Sequence, residues 1–243
     1  MSSQNLFSDN IMTLTDESNI LILTMKNGEN RFSRSFVNSL NEALDAIEKT
    51  QNPKVLIITG SDKFFSNGLD LGGIQKDVTL LPAVTKVLSR ILVLGIPTVA
   101  AINGHAYGAG LFLAMCCDWR FMRKDRGYLC FPEVDLGLPF SWGFAKVVTS
   151  KIEKNLFREM SLLAKKYDAS EAKQKGIVDD VFESSELLSQ SKKFATTVLL
   201  GKSKHRGAYH KMKVELYIEA YLGLKNFSPT NTDEYASTTK SKL

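Results

Sequence analysis

Thr98 to Asp118 reads TVAAINGHAYGAGLFLAMCCD, and this stretch decides the fold. Val99 to Ile102 is a short apolar run behind Pro97, as expected of a buried strand. Asn103-Gly104 interrupts it with a turn dipeptide. Gly108-Ala109-Gly110 then opens a second apolar run, Leu111 to Cys117, long enough for a buried helix. A strand feeding a glycine-rich helix start leaves bare backbone N–H groups at the positive end of a helix dipole. Small residues at 108–110 let a ligand approach them. The same glycines also suit close packing of helix on strand, and this stretch alone leaves both readings open.

Two nucleotide motifs fail. In G-x-G-x-x-G counted from Gly108, the third glycine falls on Leu113. A phosphate loop ending at Gly201-Lys202-Ser203 would need a glycine where Thr196 stands. A second segment changes the balance. Lys54 to Thr59 (KVLIIT) is strand-like and leads into GSDKFFSNGLDL, with a helix start expected near Asp70. Two turns that each follow a strand and present N–H groups could converge on one oxygen, which is the architecture of an oxyanion hole.

FFSNGLDL, AAINGHAYGAG, FPEVDLGLP and DASEAKQKGIVDDVF, in this order and spacing, resemble the crotonase (enoyl-CoA hydratase/isomerase) family over roughly residues 10 to 225. Within it, EVDLGLP and the SNG-x-DL loop are most similar to the short plant-type peroxisomal Δ3,Δ2-enoyl-CoA isomerases. The resemblance implies an α/β fold with a spiral ββα core and a C-terminal helical region that packs against neighbouring subunits, hence a homotrimer or hexamer. It places the oxyanion donors on the backbone of Leu69 and Ala109, and aligns Glu133 with a catalytic glutamate. It also places coenzyme A, as part of the substrate and with no separate cofactor, against Ser66, Asn67, Gly68 and Gly108, with Arg31 and the Phe32 backbone nearby. Hydratases of the family carry a second glutamate where this chain has Phe112. One carboxylate can still move a proton from C2 to C4 of an acyl-CoA without water. Read without the family, a salt bridge from Glu133 to Arg123 or Arg126 is the favoured reading. Asp70 and Asp118 align with acidic positions expected to be structural.

Composition is that of an ordinary soluble globular protein. The chain has 243 residues, 44% apolar and 23% charged, so a sizeable core needs no covalent staples. Its longest apolar region, Val87 to Ile102, is broken by Arg90 and Pro97, so no membrane span is expected. The polar start MSSQNLFSDN lacks a signal-peptide core. Cys116, Cys117 and Cys130 are odd in number and two are adjacent, which suits buried thiols in a reducing compartment. No Cys/His spacing suggests a metal site. The net charge of +5 suits nucleic acid, a membrane surface or a phosphorylated small molecule such as coenzyme A, and a merely solvated face explains the lysines about as well. No nucleic-acid motif accompanies it.

Along the chain, Met12 to Asp16 and Ile20 to Lys26 read as a hairpin, and Ser33 or Ser35 caps a helix striped by Phe36, Leu40, Leu44 and Ile47. Pro82 opens a helix, Ser170 caps a short one ended by Gly176, and Ser184 to Leu200 forms another. His205 to Lys225 forms the last, with Met212, Leu216, Ala220 and Leu224 on one face. The expected division is a catalytic core over 1–200, a helical region over 201–227 and a tail over 228–243. The tail ends in Ser241-Lys242-Leu243, a peroxisomal import address read by a receptor, which places the protein in the peroxisome matrix. The reading is therefore a peroxisomal Δ3,Δ2-enoyl-CoA isomerase of unsaturated fatty-acid β-oxidation. Its rivals are a hydratase or other acyl-CoA enzyme of the family and a non-catalytic acyl-CoA-binding protein.

Overall fold

The computed structural model describes residues 3–51 and 53–227. Three antiparallel strands open the chain: β1 (Ser3–Ser8), β2 (Met12–Glu17) and β3 (Ile20–Met25). Ser18 and Asn19 turn the β2–β3 hairpin with φ of 55° and 75°, the left-handed pair that a two-residue turn of this hand requires. β1 was not expected. It is an edge strand with mostly exposed side chains, so its sequence carries no alternation of apolar and polar residues. Helix α1 (Arg34–Glu48) follows, with the Ser33 hydroxyl accepting from the Phe36 N–H and with Phe36, Leu40, Leu44 and Ile47 buried.

The chain then winds through three similar turns. Each has a strand of a large sheet, a short strand of a small sheet, and helix. The first is β4 (Val55–Gly60), β5 (Phe64–Ser66), α2 (Leu71–Lys76) and α3 (Leu80–Leu92). The second is β6 (Thr98–Ile102), β7 (His105–Tyr107) and α4 (Ala109–Cys116). The third is β8 (Trp119–Arg123), β9 (Leu129–Cys130) and α5 (Trp142–Thr149). Such crossovers make neighbouring strands parallel. The large sheet runs β1-β2-β3-β4-β6-β8 and ends on β10 (Asp180–Phe182); the small one runs β5-β7-β9. The strand–strand–helix spiral is the α/β architecture that the motifs implied.

Alternation along the strands builds two cores. Leu21, Leu23, Leu56, Ile58, Ala100 and Ile102 face the helices and the small sheet. Ile20, Ile22, Val55, Ile57, Val99 and Ala101 face the opposite way, under Leu187, Ala195 and Leu199. The three cysteines are free and buried. No described helix is long and apolar enough to cross a membrane.

Several boundaries differ from the sequence reading. Helix α3 starts at Leu80, so Pro82 lies in its first turn, where a missing N–H costs nothing. After α6 (Lys154–Leu162), α7 (Ala169–Gln174) is capped by Asp168, whose carboxylate accepts from the Glu171 N–H; Ser170 is inside the helix. The 184–200 segment is α8 (Leu187–Phe194) followed by a π-helical turn over Ala195–Leu199. The last helix is two, α9 (Arg206–Leu216) and α10 (Ile218–Lys225), broken at Tyr217, where φ is −121°. The break splits the anticipated stripe. Ala220 and Leu224 are buried, while Met212 and Leu216 are 71% and 69% exposed. Helix α10 meets α5 so closely that a Cβ on Gly143 would stand 2.4 Å from the Gly223 carbonyl carbon. Lys213 ties α9 to the core through a buried ion pair with Asp118 at 2.8 Å. The tail carrying Ser241, Lys242 and Leu243 lies outside the described residues.

Candidate active site

Each strand of the small sheet delivers one component at its C-terminal end, the edge at which ligands meet parallel strands. β5 leads through Asn67 and Gly68 to Leu69. β7 leads through Gly108 to Ala109. β9 leads through Phe131 and Pro132 to Glu133. The strands are neighbours in the order β5-β7-β9, so residues far apart in sequence meet.

Glycines set the spacing. Gly68 has φ +79°, and a Cβ there would lie 2.7 Å from the Tyr107 oxygen and 3.3 Å from the Ala109 nitrogen. The two turns therefore touch through backbone. Gly108 precedes α4 with φ 50° and ψ −121°, and its missing Cβ would stand 3.1 Å from Glu133 Oε1. Gly110 packs α4 against β5, where a Cβ would come within 2.2 Å of the Ser66 oxygen. Helix α4 begins at Ala109, not Leu111. The intervening β7, absent from the sequence reading, aims its start at the site.

Phe32 and Leu69 form an isolated parallel bridge. The Phe32 N–H donates to the Gly68 carbonyl at 2.8 Å, and the Phe32 carbonyl accepts from the Asp70 N–H at 3.4 Å. Leu69, between them, keeps its own N–H free of any acceptor among the described residues. Ala109 is the first residue of α4, so its N–H has no partner within the helix. Two unspent N–H donors thus stand on touching turns, one at a helix N-terminus.

Glu133 faces them across Gly108. Its backbone is anchored in a tight turn, its carbonyl accepting from Leu136 at 3.1 Å and Leu138 at 2.9 Å. Oε2 is buried and has no hydrogen-bond partner among the described residues. The salt bridge considered from sequence does not form: Arg123 pairs with Asp125 at 2.6 Å. Burial pushes the Glu133 carboxyl up to about 7, outweighing a lowering backbone hydrogen bond.

Phe112 lies one helical turn beyond Gly108, and its N–H donates to the Gly108 carbonyl at 3.0 Å. Residues four apart share a helix face, and helical side chains lean toward the N-terminus, so Phe112 flanks the Gly108–Glu133 contact. Its ring stacks with Phe131 and Phe144, at 4.5 and 4.3 Å between centroids, and meets Phe140 edge-on at 5.6 Å. The sequence reading singled out Phe112 alone. Its ring partners come from three separate segments, and only a cluster of phenylalanines around Glu133 hinted at them. The four rings themselves carry no polar group that could hold a water.

The residues expected around coenzyme A lie on or beside the same turns. Ser66 is buried, its hydroxyl donating to the Asn30 carbonyl at 2.7 Å and accepting from the Gly68 N–H at 3.3 Å. Asn67 donates its N–H to the Glu29 carbonyl at 2.8 Å. Arg31 pairs with Glu29 at 2.6 Å and reaches the Leu69 carbonyl at 3.4 Å. Asp70 caps α2, accepting from the Gly73 N–H. Asp118 joins the ends of the deciding stretch by accepting from the Thr98 N–H at 2.9 Å. At the far end of α4, Arg120 and Lys151 each donate to the Cys117 carbonyl at 3.3 Å, satisfying the negative end of that helix.

Known proteins resemble this chain in sequence and fold. The family model described as enoyl-CoA hydratase/isomerase matches residues 15–233. "Enoyl-CoA delta isomerase 3" of Arabidopsis thaliana is 39% identical over 71% of this chain and 77% of its own length. "Enoyl-CoA delta isomerase 2, peroxisomal" of the same plant is 37% identical over 72% and 78%. "2,3-dehydroadipyl-CoA hydratase" of Escherichia coli (strain K12) is 29% identical over 76% and 74%. Among solved structures, an apo enoyl-CoA isomerase of Mycobacterium tuberculosis superposes with a TM-score of 0.81 at 22% identity, covering 89% of this chain and 95% of that one.

Proposed function

Since the chain belongs to the enoyl-CoA hydratase/isomerase family, we propose that it shifts the double bond of a 3-enoyl-CoA to the 2-position. Enoyl-CoA isomerase or hydratase chemistry is common to the family; what favours isomerisation is one desolvated carboxylate against an aromatic wall. Ionised Glu133 takes a proton from C2. The electrons move toward the thioester oxygen, and the Leu69 and Ala109 N–H groups stabilise the resulting enolate, each worth about 3 kcal/mol in comparable oxyanion holes. The double bond reforms between C2 and C3 as Glu133, now protonated, gives its proton to C4. No water is consumed. Phe112 stands where a hydratase would need a second carboxylate to hold the attacking water. Coenzyme A would lie along Ser66, Asn67 and Gly68 with Arg31 beside it.

Relatives named peroxisomal support a peroxisomal setting, and Ser241-Lys242-Leu243 is the address to test by its deletion. The test of the reaction is a pair of incubations. Wild type given 3-enoyl-CoA should accumulate the conjugated thioester. Phe112→Glu should isomerise more slowly, lose about 3–5 kcal/mol of stability with its buried ring, and begin to hydrate 2-enoyl-CoA. Wild type that leaves 3-enoyl-CoA unchanged refutes the proposal.

A further inference from the structure

The two N–H donors share a feature that their isolation in sequence hides. A peptide unit is planar and trans, so its C=O and N–H point in opposite directions. The unit that ends in the Leu69 N–H begins with the Gly68 carbonyl, and that carbonyl accepts the Phe32 N–H at 2.8 Å. The unit that ends in the Ala109 N–H begins with the Gly108 carbonyl, which accepts the Phe112 N–H at 3.0 Å. Both donor peptides are therefore held from behind. A hydrogen bond to a peptide oxygen draws charge through the resonant C–N bond and makes the N–H at the other end a better donor. It also fixes the plane, and hence the direction of the N–H.

On the reading that these N–H groups bind the thioester oxygen, we infer that Phe32 and Phe112 are positioning residues whose backbone N–H groups aim and polarise the two donors. For Phe112 the clasp is the first regular bond of α4. For Phe32 it is an isolated bridge made by a residue 36 positions before Gly68, with no helix or long ladder to account for it. Its buried ring, tilted at 58° to Phe36 with centroids 5.0 Å apart, holds the bridge in place. Phe32 thus serves the site through its N–H and needs no contact with coenzyme A.

Replacing residue 32 by the α-hydroxy acid of the same side chain turns its N–H into an ester oxygen. This removes the clasp and also weakens the Arg31 carbonyl as acceptor of the Ser33 N–H at 2.8 Å, an effect that the control ester at Val37 shares at its own preceding carbonyl. Cooperative strengthening of about 10–30% per bond, applied to a donor worth about 10²–10³-fold, predicts a fall of roughly 2- to 8-fold in kcat with KM unchanged. The carbonyl stretch of a bound, carbonyl-labelled saturated acyl-CoA should move back toward its solution frequency. The same ester at Val37, whose N–H bonds to the Ser33 carbonyl at 3.0 Å within α1, should do neither. Wild type provides a second measurement that needs no substitution: the Phe32 and Phe112 amide protons should move downfield when butyryl-CoA binds and stay put with coenzyme A alone. A residue-32 ester with wild-type kcat and carbonyl frequency, or amide protons indifferent to butyryl-CoA, overturns the inference. Because a saturated thioester reports the clasp without reacting, this outcome is separable from failure of the isomerase reading, which would appear as unchanged 3-enoyl-CoA.

Discussion

Glu133→Gln should separate catalysis from stability in opposite directions. The carboxyl stands near 7 in the fold against 4.5 for an open chain, because burial penalises its charge. A group whose folded pKa is raised binds extra protons in the native state between those two values. Stability therefore falls as pH rises through that window. Full ionisation costs up to about 3 kcal/mol, of which roughly 2 kcal/mol develops between about pH 5 and pH 8. Glutamine has the same shape and no charge. It suffers an unpaired amide instead, a cost that does not change with pH. At about pH 5 the two proteins should melt at similar temperatures. At about pH 8 the variant should gain roughly 2 kcal/mol on wild type, or about 4–8 °C. Activity should drop by about 10²–10⁴-fold, the usual contribution of a general base, while coenzyme A still binds. The assay pairs thermal melts at the two pH values with initial rates of conjugated thioester formation. A variant that stays active refutes the base assignment. A melting gap that does not open with pH refutes the desolvation argument behind it.

Three other outcomes follow from the same geometry. The rate at low substrate, kcat/KM, should rise with pH along a single ionisation near 7, because the base must be ionised in the free enzyme; a flat profile from about pH 5 to 9 contradicts this. Gly108→Ala should lose at least about 10-fold in kcat with secondary structure intact by circular dichroism, since φ of 50° strains alanine and its Cβ presses on Glu133 at 3.1 Å. The family resemblance implies trimers or hexamers, for which Met212 and Leu216, exposed on α9, offer apolar surface; a stable monomer by light scattering at micromolar concentration argues against that association.

Much of the site was legible because its chemistry imposes residue types on the sequence. Gly68 and Gly108 adopt positive φ where backbone must approach backbone or a carboxylate, and no other residue does this without strain. Glu133 was conspicuous as a charge in an apolar segment. What the sequence concealed depends on contacts between distant segments. The Phe32 clasp is a backbone bond and has no side-chain signature. The walls around Phe112 come from the residue after β9, the loop before α5, and α5 itself. The break at Tyr217 was invisible because the every-fourth-residue pattern continues across it, and only the docking of α10 on α5 reveals it. Edge strand β1 lacked alternation because it has little to bury.

The central claim is that a single shielded carboxylate beside Phe112 shifts the double bond and does not add water. Wild-type enzyme should therefore be incubated separately with 3-enoyl-CoA and 2-enoyl-CoA of one chain length, while both 2-enoyl-CoA and 3-hydroxyacyl-CoA are followed by chromatography. The account predicts rapid conversion of 3-enoyl-CoA to 2-enoyl-CoA with little or no 3-hydroxyacyl-CoA from either substrate. Hydration of 2-enoyl-CoA as fast as double-bond migration would contradict it.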